Sequence, residues 1–451
     1  MHPPRPPRLT LALTALLCAV AHAQTTTTPP AAPLTLPDVL RDLHAAPAWQ
    51  SADLQYLAAQ QALDAARART GLTLTTGADL VSAGADGTWQ TGLTARVNAS
   101  ATVLPWSPAY DAVRSAQRAL ERAALERRDA RATLVINAAQ QYTAVRLAAL
   151  DADLASAQLR LARRALDITA AQRAAGAATA DAVLEREADV GSAAASADAA
   201  QATLTLNAAT LANTLGRDLT GAALTTTPDD APAPAPLADL VARALTQRGD
   251  VRGAEAALAD ARAQLAAATR ERALPNLTAN AQYGQLSAGQ GAAGTVVSGA
   301  LDLKNGVATG SVSVPLRASS QPNAVALGLS ASFNLLDPVA DASVNSARTA
   351  VASAERALNT ARAAVTLDVQ ARRADLEAAR AQLPLAAAAV SRARANADTA
   401  RAREAAGVGT ALDTSRADLA VTQAERAQLA ARVNAYLAQL RLQAATGDLT
   451  P

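Results

Sequence analysis

Between Pro108 and about Arg173 the chain contains neither Pro nor Gly, and Leu147, Leu154, Leu161 and Ile168 return every seventh residue. That period predicts one coiled-coil helix of about 65 residues, close to 100 Å long at about 1.5 Å per residue. Alanine fills most of the remaining seam positions, so neighbouring helix axes can approach closely. The run meets Ala174-Ala175-Gly176-Ala177-Ala178-Thr179-Ala180-Asp181, resumes as a helix, and stops at Leu215-Gly216, where Gly supplies a C-terminal cap. The pattern returns after Leu336-Asp337-Pro338. Val344, Val351, Leu358 and Val365 form one heptad ladder, and Leu376, Leu383 and Val390 form another. The second turn is Ala405-Ala406-Gly407-Val408-Gly409-Thr410-Ala411-Leu412-Asp413, and the helix that follows runs to about Ala445, before Gly447. Pro384 lies inside the second rod and predicts a kink within a few turns of its tip.

Elsewhere the period changes from 3.6 to 2. Leu72, Leu74, Ala78 and Leu80 share one face of an alternating run, opposite Thr73, Thr75, Gly77 and Asp79. After Ala83-Gly84-Ala85-Asp86-Gly87, Leu93, Ala95, Val97, Ala99, Ala101 and Val103 alternate with Thr94, Arg96, Asn98, Ser100 and Thr102. Each arm has about the ten residues that a tilted transmembrane strand needs. Alternation of this kind also describes a half-buried hairpin in a soluble sheet, but here only long helices flank it. In the second half, Leu277, Ala279, Ala281 and Tyr283 alternate with Thr278, Asn280 and Gln282, and Val325 to Leu335 alternate again before the long helix. Between these runs, Asn305-Gly306 joins two further alternating stretches, a strong hairpin signal. Breaks at Gln290-Gly291 and Ser319-Ser320-Gln321-Pro322 lie at similar distances from that turn. This symmetry favours one long hairpin whose outer part projects beyond the membrane over two extra barrel strands.

The order of elements is therefore duplicated: two short helices, strands, a very long helix, a turn and a long helix. A shift of 231 residues carries Gly176 onto Gly407, Thr179 onto Thr410 and Gly216 onto Gly447. The first repeat is expected over residues 36–220, with strands about 71–104 and a helical hairpin about 108–216. The second covers 237–451, with strands about 276–335 and a hairpin about 338–447. The Pro-rich stretch 221–236 connects them. The predicted class is mainly α with a small β part.

Composition adds an address. Met1-His2-Pro3-Pro4-Arg5, an apolar run from Leu9 to Val20, and Ala21-His22-Ala23 describe a secretory signal peptide over residues 1–23. A low-complexity tether, residues 24–35, follows it. Cys18 is the chain's single cysteine and lies within the leader. Leu17 stands where a lipoprotein signal needs a small residue. No later stretch is long and apolar enough for a membrane helix. The formal charge is +2, from 41 basic and 39 acidic residues mixed along the helices. Such a balanced surface argues against nucleic acid as a partner.

Catalytic chemistry finds no support. His2 and His22 fall in the leader and leave His44 alone. No metal-ligand spacing, nucleophile elbow or phosphate-binding loop occurs, so no enzyme activity, cofactor or metal is expected. The scarce aromatics Trp89, Trp106, Tyr110, Tyr283 and Phe333 cluster at the strands or their ends, where a membrane-interface belt requires them.

The duplicated order, together with Arg248-Gly249-Asp250-Val251-Arg252 before a helix ending in Leu274-Pro275-Asn276-Leu277, resembles the TolC family of outer-membrane efflux proteins. So does Gly407-Val408-Gly409-Thr410-Ala411-Leu412-Asp413, which fits that family's tip pattern of Gly, five residues, then Asp. The resemblance covers essentially the whole mature chain. It implies a homotrimer in which each protomer gives four strands to a twelve-stranded outer-membrane β-barrel and its helices to a periplasmic α-barrel. A sheet with open edges cannot sit in lipid, which independently favours oligomerisation.

The resemblance also implies a function: a channel and exit duct of a tripartite efflux or type I secretion system. Its tip closes the periplasmic entrance and docks a periplasmic membrane-fusion adaptor linked to an inner-membrane pump. The docking candidates are Gly176, Ala177, Thr179 and Asp181 in the first turn and Gly407, Val408, Gly409 and Thr410 in the second. Gate candidates are Asp413, Arg416 and Glu185. Three copies of Asp413 around an axis repel unless cations or protons relieve them. Arg416 stands where the family often has a second acid, and it can pair with Asp413 on one helix face. Asp413 and Asp181 also suit a purely structural role as acids at helix N-termini. The competing readings are a periplasmic adaptor, which usually has one hairpin, and a structural coiled-coil envelope protein, against which the alternating strands speak.

Overall fold

Proline and threonine open most of the helices. The protein, here as a computed structural model, is described over residues 34–85, 88–219, 224–286, 292–315 and 322–449. The expected leader and the tether up to residue 33 lie outside the described residues. Helices α1 (Leu36–Leu43) and α2 (Pro47–Ala68) precede strands β1 (Thr73–Ala85) and β2 (Thr88–Thr102). Helices α3 (Pro108–Ala174) and α4 (Ala180–Leu215) follow. The second half has α5 (Leu237–Gln247) and α6 (Gly249–Ala273), then β3 (Asn276–Leu286), β4 (Ala292–Asp302), β5 (Val307–Pro315) and β6 (Asn323–Ser332). It ends with α7 (Pro338–Ala405) and α8 (Ala411–Thr446). Pro47, Pro108 and Pro338 sit in first turns, where a missing N–H costs nothing. α7 is one continuous helix through Pro384.

The helices pair as two hairpins, α3 with α4 and α7 with α8, and α3 also packs along α8. Two apolar cores form where short helices lie on the long ones. One gathers Val39, Leu43, Tyr142, Leu211, Val433 and Leu437, the other Val251, Leu258, Val365, Val369, Leu376 and Leu442. Each large apolar side chain taken fully from water contributes about 1.5–3 kcal/mol. In the second hairpin's two ladders Val344, Leu358, Val365, Leu376 and Val390 are buried, while Val351 and Leu383 are only partly buried. The first ladder fares differently. Leu147, Leu154 and Leu161 are only half-buried and Ile168 is exposed, while Ala138, Ala139, Val145, Ala148 and Ala155 take the closest contacts. Small side chains let the axes approach, so the neighbouring larger residues are left at the rim.

The described ends of the expected tether and connector are fastened to the helices. Leu34 is buried and bridges Leu224 in parallel, and Leu36 N donates to Thr226 Oγ1 at 3.1 Å. Farther along, Ala231 is buried in the second core. The motif at Arg248 is a fastener too. Its guanidinium bonds Asp250 at 2.6 and 2.9 Å and Asp368 on α7 at 2.7 Å. Those carboxylates hold Arg248 firmly protonated, and Arg248 in turn holds Asp250 below the usual carboxylate range. Its neighbour is closely approached: a Cβ at Gly249 would lie 2.5 Å from Asp129 Oδ2, so that carboxylate would have to move.

The strands form one antiparallel sheet of six, in the order β1-β2-β5-β4-β3-β6. The resemblance implies four strands per protomer, and the expected projecting hairpin is not found. Asn305-Gly306 turns instead at the helix end of the sheet. Gly306, at φ +68°, accepts hydrogen bonds through its carbonyl from Val103 N at 2.9 Å and Leu104 N at 3.2 Å. The breaks at Gln290-Gly291 and Ser319-Ser320-Gln321 lie outside the described residues; the strands flanking each of them, β3 and β4, and β5 and β6, run in opposite directions. β4 and β5 lie as an extra pair between β2 and β3.

Register makes the sheet two-faced across all six strands. Thr76, Val97, Val312, Val297, Tyr283 and Val325 form one cross-strand row, and Leu74, Ala99, Gly310, Gly299, Ala281 and Leu327 the next on that face. The row between them, on the other face, is Thr75, Asn98, Ser311, Ser298, Gln282 and Ala326. The polar side is hollowed, lined by Asn98, Ser100, Asn280, Gln282, Ser298 and Ser311. On the other side Leu74, Val325, Leu327 and Leu329 are 63–80% exposed, an apolar surface without cover in one protomer.

Candidate functional site

The two tip turns are built alike from the backbone up. Gly176 at φ +77° and Gly407 at φ +74° supply the left-handed residue that ends a helix. Ala177 N then donates to Gln172 O at 2.7 Å and Val408 N to Arg403 O at 2.9 Å, closing the last turn in each case. Thr179 and Thr410 restart the chain as N-caps. Thr179 Oγ1 accepts from Ala182 N at 3.2 Å, and Thr410 Oγ1 from Asp413 N at 3.2 Å.

They differ at the third helical residue. In the second tip that residue is Asp413, whose Oδ2 accepts from Thr410 Oγ1 at 2.7 Å and from Thr410 N at 3.3 Å, completing a capping box. The Thr410 hydroxyl and then its N–H hold the Asp413 carboxyl below the usual carboxylate range, with Arg416 adding least. In the first tip Ala182 occupies that place, and Asp181 lies one residue earlier. Val408, 78% exposed, is the apolar point of the second turn, with Thr410 and Gly409 behind it.

Of the gate candidates, Asp413 and Arg416 come together, Arg416 Nη1 lying 3.6 Å from Asp413 Oδ1 with both side chains exposed. Glu185 stands exposed on α4, which packs on α3 rather than on α8. Near the tip, Arg164 Nη1 on α3 bonds Ser415 Oγ on α8 at 3.1 Å. Higher up, Arg426 on α8 grips Asp151 on α3 through both carboxylate oxygens, at 2.7 and 2.8 Å. Arg401 meets Asp418 and Arg394 meets Glu425, each at 2.6 Å, within the α7–α8 hairpin. Sequence reasoning did not single out Arg164, Ser415, Asp151 or Arg426. No periodicity joins positions so far apart in the chain.

The aromatics fall around the sheet. Trp106 is partly exposed at its helix end and donates Nε1 to Leu303 O at 3.0 Å, while its own carbonyl accepts from Arg270 Nη1 at 2.7 Å. Tyr110 follows in the first turn of α3, Phe333 is half-exposed just after β6, and Tyr283 stands on the apolar face. Trp89 pairs with Gly84 in the backbone ladder, and its side chain lies outside the described residues.

An antiparallel sheet with one apolar and one polar face, set on helical rods about 100 Å long, is the architecture of outer-membrane channels of known structure. Residues 240–448 match the model of the outer membrane efflux protein family, and about nine-tenths of the chain shares the fold of solved outer-membrane channels. It is similar to the outer membrane protein VceC of Vibrio cholerae, with 19% identity over 91% of this chain and 96% of that one, at a TM-score of 0.68. The transmembrane channel protein CusC is 16% identical over 91% of this chain and 92% of its own, with a TM-score of 0.69. The open-state outer membrane channel MtrE of Neisseria gonorrhoeae is 19% identical over 91% of this chain and 88% of its own, at 0.64. No curated protein matches the chain.

Proposed function

We propose that three copies assemble about a threefold axis as the exit duct of a tripartite efflux or type I secretion system. The observation that carries this reading is the six-strand sheet, apolar on one exposed face, polar and hollowed on the other, and open at β1 and β6. Such edges are not tolerated in hydrocarbon, where each unpaired backbone group costs several kcal/mol, so the sheet must close on further copies. The apolar face then meets outer-membrane lipid and the polar face lines water. The rods reach into the periplasm, where the turns at Gly176 and Gly407 receive a membrane-fusion adaptor bound to an inner-membrane pump. Asp413 and Arg416 form the entrance constriction, and solutes or polypeptides pass through it. The protein itself does no catalytic chemistry.

The test is extraction and conductance. A trimer that resists heat and dissolves only in detergent, and that conducts in planar bilayers once Asp413→Ala and Arg416→Ala loosen the tip, supports the duct. A protein released by salt as a soluble rod, or detergent trimers that never conduct with the tip loosened, overturns it.

A further inference from the structure

We infer that the β-barrel of this protein has eighteen strands rather than twelve, because each copy supplies six and the free β1 edge of one copy pairs with the β6 edge of the next. The inference rests on the trimer proposed above. β4 and β5 are full members of the sheet: β5 pairs with β2 from Thr94–Pro315 to Thr102–Val307, and β4 pairs with β3 from Thr278–Asp302 onward. Both carry the two-faced pattern of their neighbours, with Val297, Val312 and Val314 on the outer face and Ser298 and Ser311 on the inner, where their hydroxyls bond at 2.5 Å. A plug or an external projection has no need of an apolar face in register with four membrane strands. These two strands have one.

The edges suit each other. β1 leaves α2 and runs away from the helices, whereas β6 runs toward α7, so a cyclic arrangement brings them together antiparallel, like every other pair in the sheet. Their apolar positions, Leu74 and Leu80 on β1 and Val325, Leu327 and Leu329 on β6, are 63–80% exposed in one copy. Perimeters agree as well. Six strands about 4.8 Å apart and tilted about 45° occupy roughly 40 Å of circumference. Four helices at about 8–10 Å spacing occupy roughly 32–40 Å. Four strands would cover only about 27 Å on the same basis. Barrel diameter grows about linearly with strand number, so the exit is about 1.5 times as wide as a twelve-stranded one, in the range where barrels hold an open water channel. Its lining is the polar row of Asn98, Ser311, Ser298 and Gln282.

Cys18 is the single cysteine of the chain and falls within the expected leader, so engineered disulfides report cleanly. Val97 opposes Val312 and Asn98 opposes Ser311. One of these two pairs is of the non-hydrogen-bonded kind, with the closer side chains. V97C/V312C or N98C/S311C is expected to oxidise within one chain in more than half of the molecules. A panel pairing L74C, A78C or L80C with V325C, L327C or L329C is expected to give covalent trimers for at least one combination. Blue-native mass first establishes whether the protein is a trimer, and failure there overturns the duct rather than the strand count. In trimers, absence of both β2–β5 links overturns the insertion of β4 and β5, and absence of every β1–β6 link overturns the seam. Axial cryo-electron projections of the unmodified trimer decide independently of any variant: eighteen strands support the inference and twelve refute it.

Discussion

Arg426 Nε and Nη2 on α8 bind the two carboxylate oxygens of Asp151 on α3, at 2.7 and 2.8 Å, across 275 residues of sequence. The pair ties the last helix of the second hairpin to the first helix of the first. Both side chains are more than a third exposed, and an ion pair in that setting contributes only about 0.2–1 kcal/mol to stability. Its position matters more than its strength, because any outward swing of α7–α8 relative to α3–α4 must break it. Arg426→Ala and Asp151→Ala are each expected to raise the open fraction of single channels while shifting thermal unfolding by at most a few degrees. The double variant should match either single one, since both remove the same contact. Arg426→Lys, which keeps charge without the two-pronged geometry, should fall between. Single-channel recording checks all four; openings as rare as in the parent protein would show that the hairpins do not separate there.

The cap and the ion pair at Asp413 can be separated by pH. Its folded carboxyl titrates below the unfolded value of about 3.9, so the capping contribution is complete above that value. It is lost as the pH falls through the lower folded value. Thr410→Ala removes the main hydrogen-bonding partner and should cost about 0.5–2 kcal/mol of local helix stability at neutral pH. Hydrogen exchange in the first turn of α8 should rise on acidification in the parent protein and in Arg416→Ala, and should already be raised at neutral pH in Asp413→Asn. If Arg416→Ala alone abolished the pH response, the ion pair and not the cap would govern Asp413.

What the sequence disclosed followed from local rules. Pro108 and Pro338 open long helices, Gly216 and Gly447 end the helices that return from them with φ of +68° and +77°, and Val344, Leu358, Val365, Leu376 and Val390 are buried on their heptad ladders. At the tip, Thr410 and Asp413 spell a capping box in their own spacing. The misreadings arose where long-range pairing decides. Asn305-Gly306 announces a hairpin correctly, but whether its arms extend outward or fold back depends on Val103 and Leu104 meeting Gly306, and on β5 meeting β2. Alternation is identical in both cases. Likewise Leu34 and the connector near Thr226 look like linker in composition, and their place is set by Tyr142, far away in α3.

The capping glycines should differ in cost although their backbone angles agree. A Cβ at Gly407 meets open space, so Gly407→Ala carries only the left-handed backbone penalty of about 1–2 kcal/mol. At Gly447 a Cβ would lie 2.9 Å from Gln247 Cβ, so the α8 terminus must also shift against α5. Gly447→Ala is therefore expected to unfold at the lower temperature of the two. Calorimetry in detergent checks the order; equal transitions would mean that Gln247 yields freely.

Tyr142 provides the sharpest test of how the two repeats are joined. It is fully buried, its hydroxyl donates to Leu34 O at 3.0 Å, and it accepts from Thr226 N at 3.0 Å. One oxygen thus closes the segment before α1 and the connector after α4 onto the same point of α3. Tyr142→Phe keeps the ring and its packing but withdraws both bonds. Leu34 O retains Thr225 N at 3.4 Å, whereas Thr226 N loses the partner described here. A buried donor left unpaired costs about 1–3 kcal/mol. That loss falls on the connector, because the ring still fills the core and α3 keeps its other neighbours. Limited proteolysis of Tyr142→Phe should therefore cut near Thr225 and Thr226 several-fold faster than in the parent protein, while the α3–α4 hairpin stays resistant. Unchanged cleavage would show that the parallel bridge between Leu34 and Leu224 holds the connector without the hydroxyl.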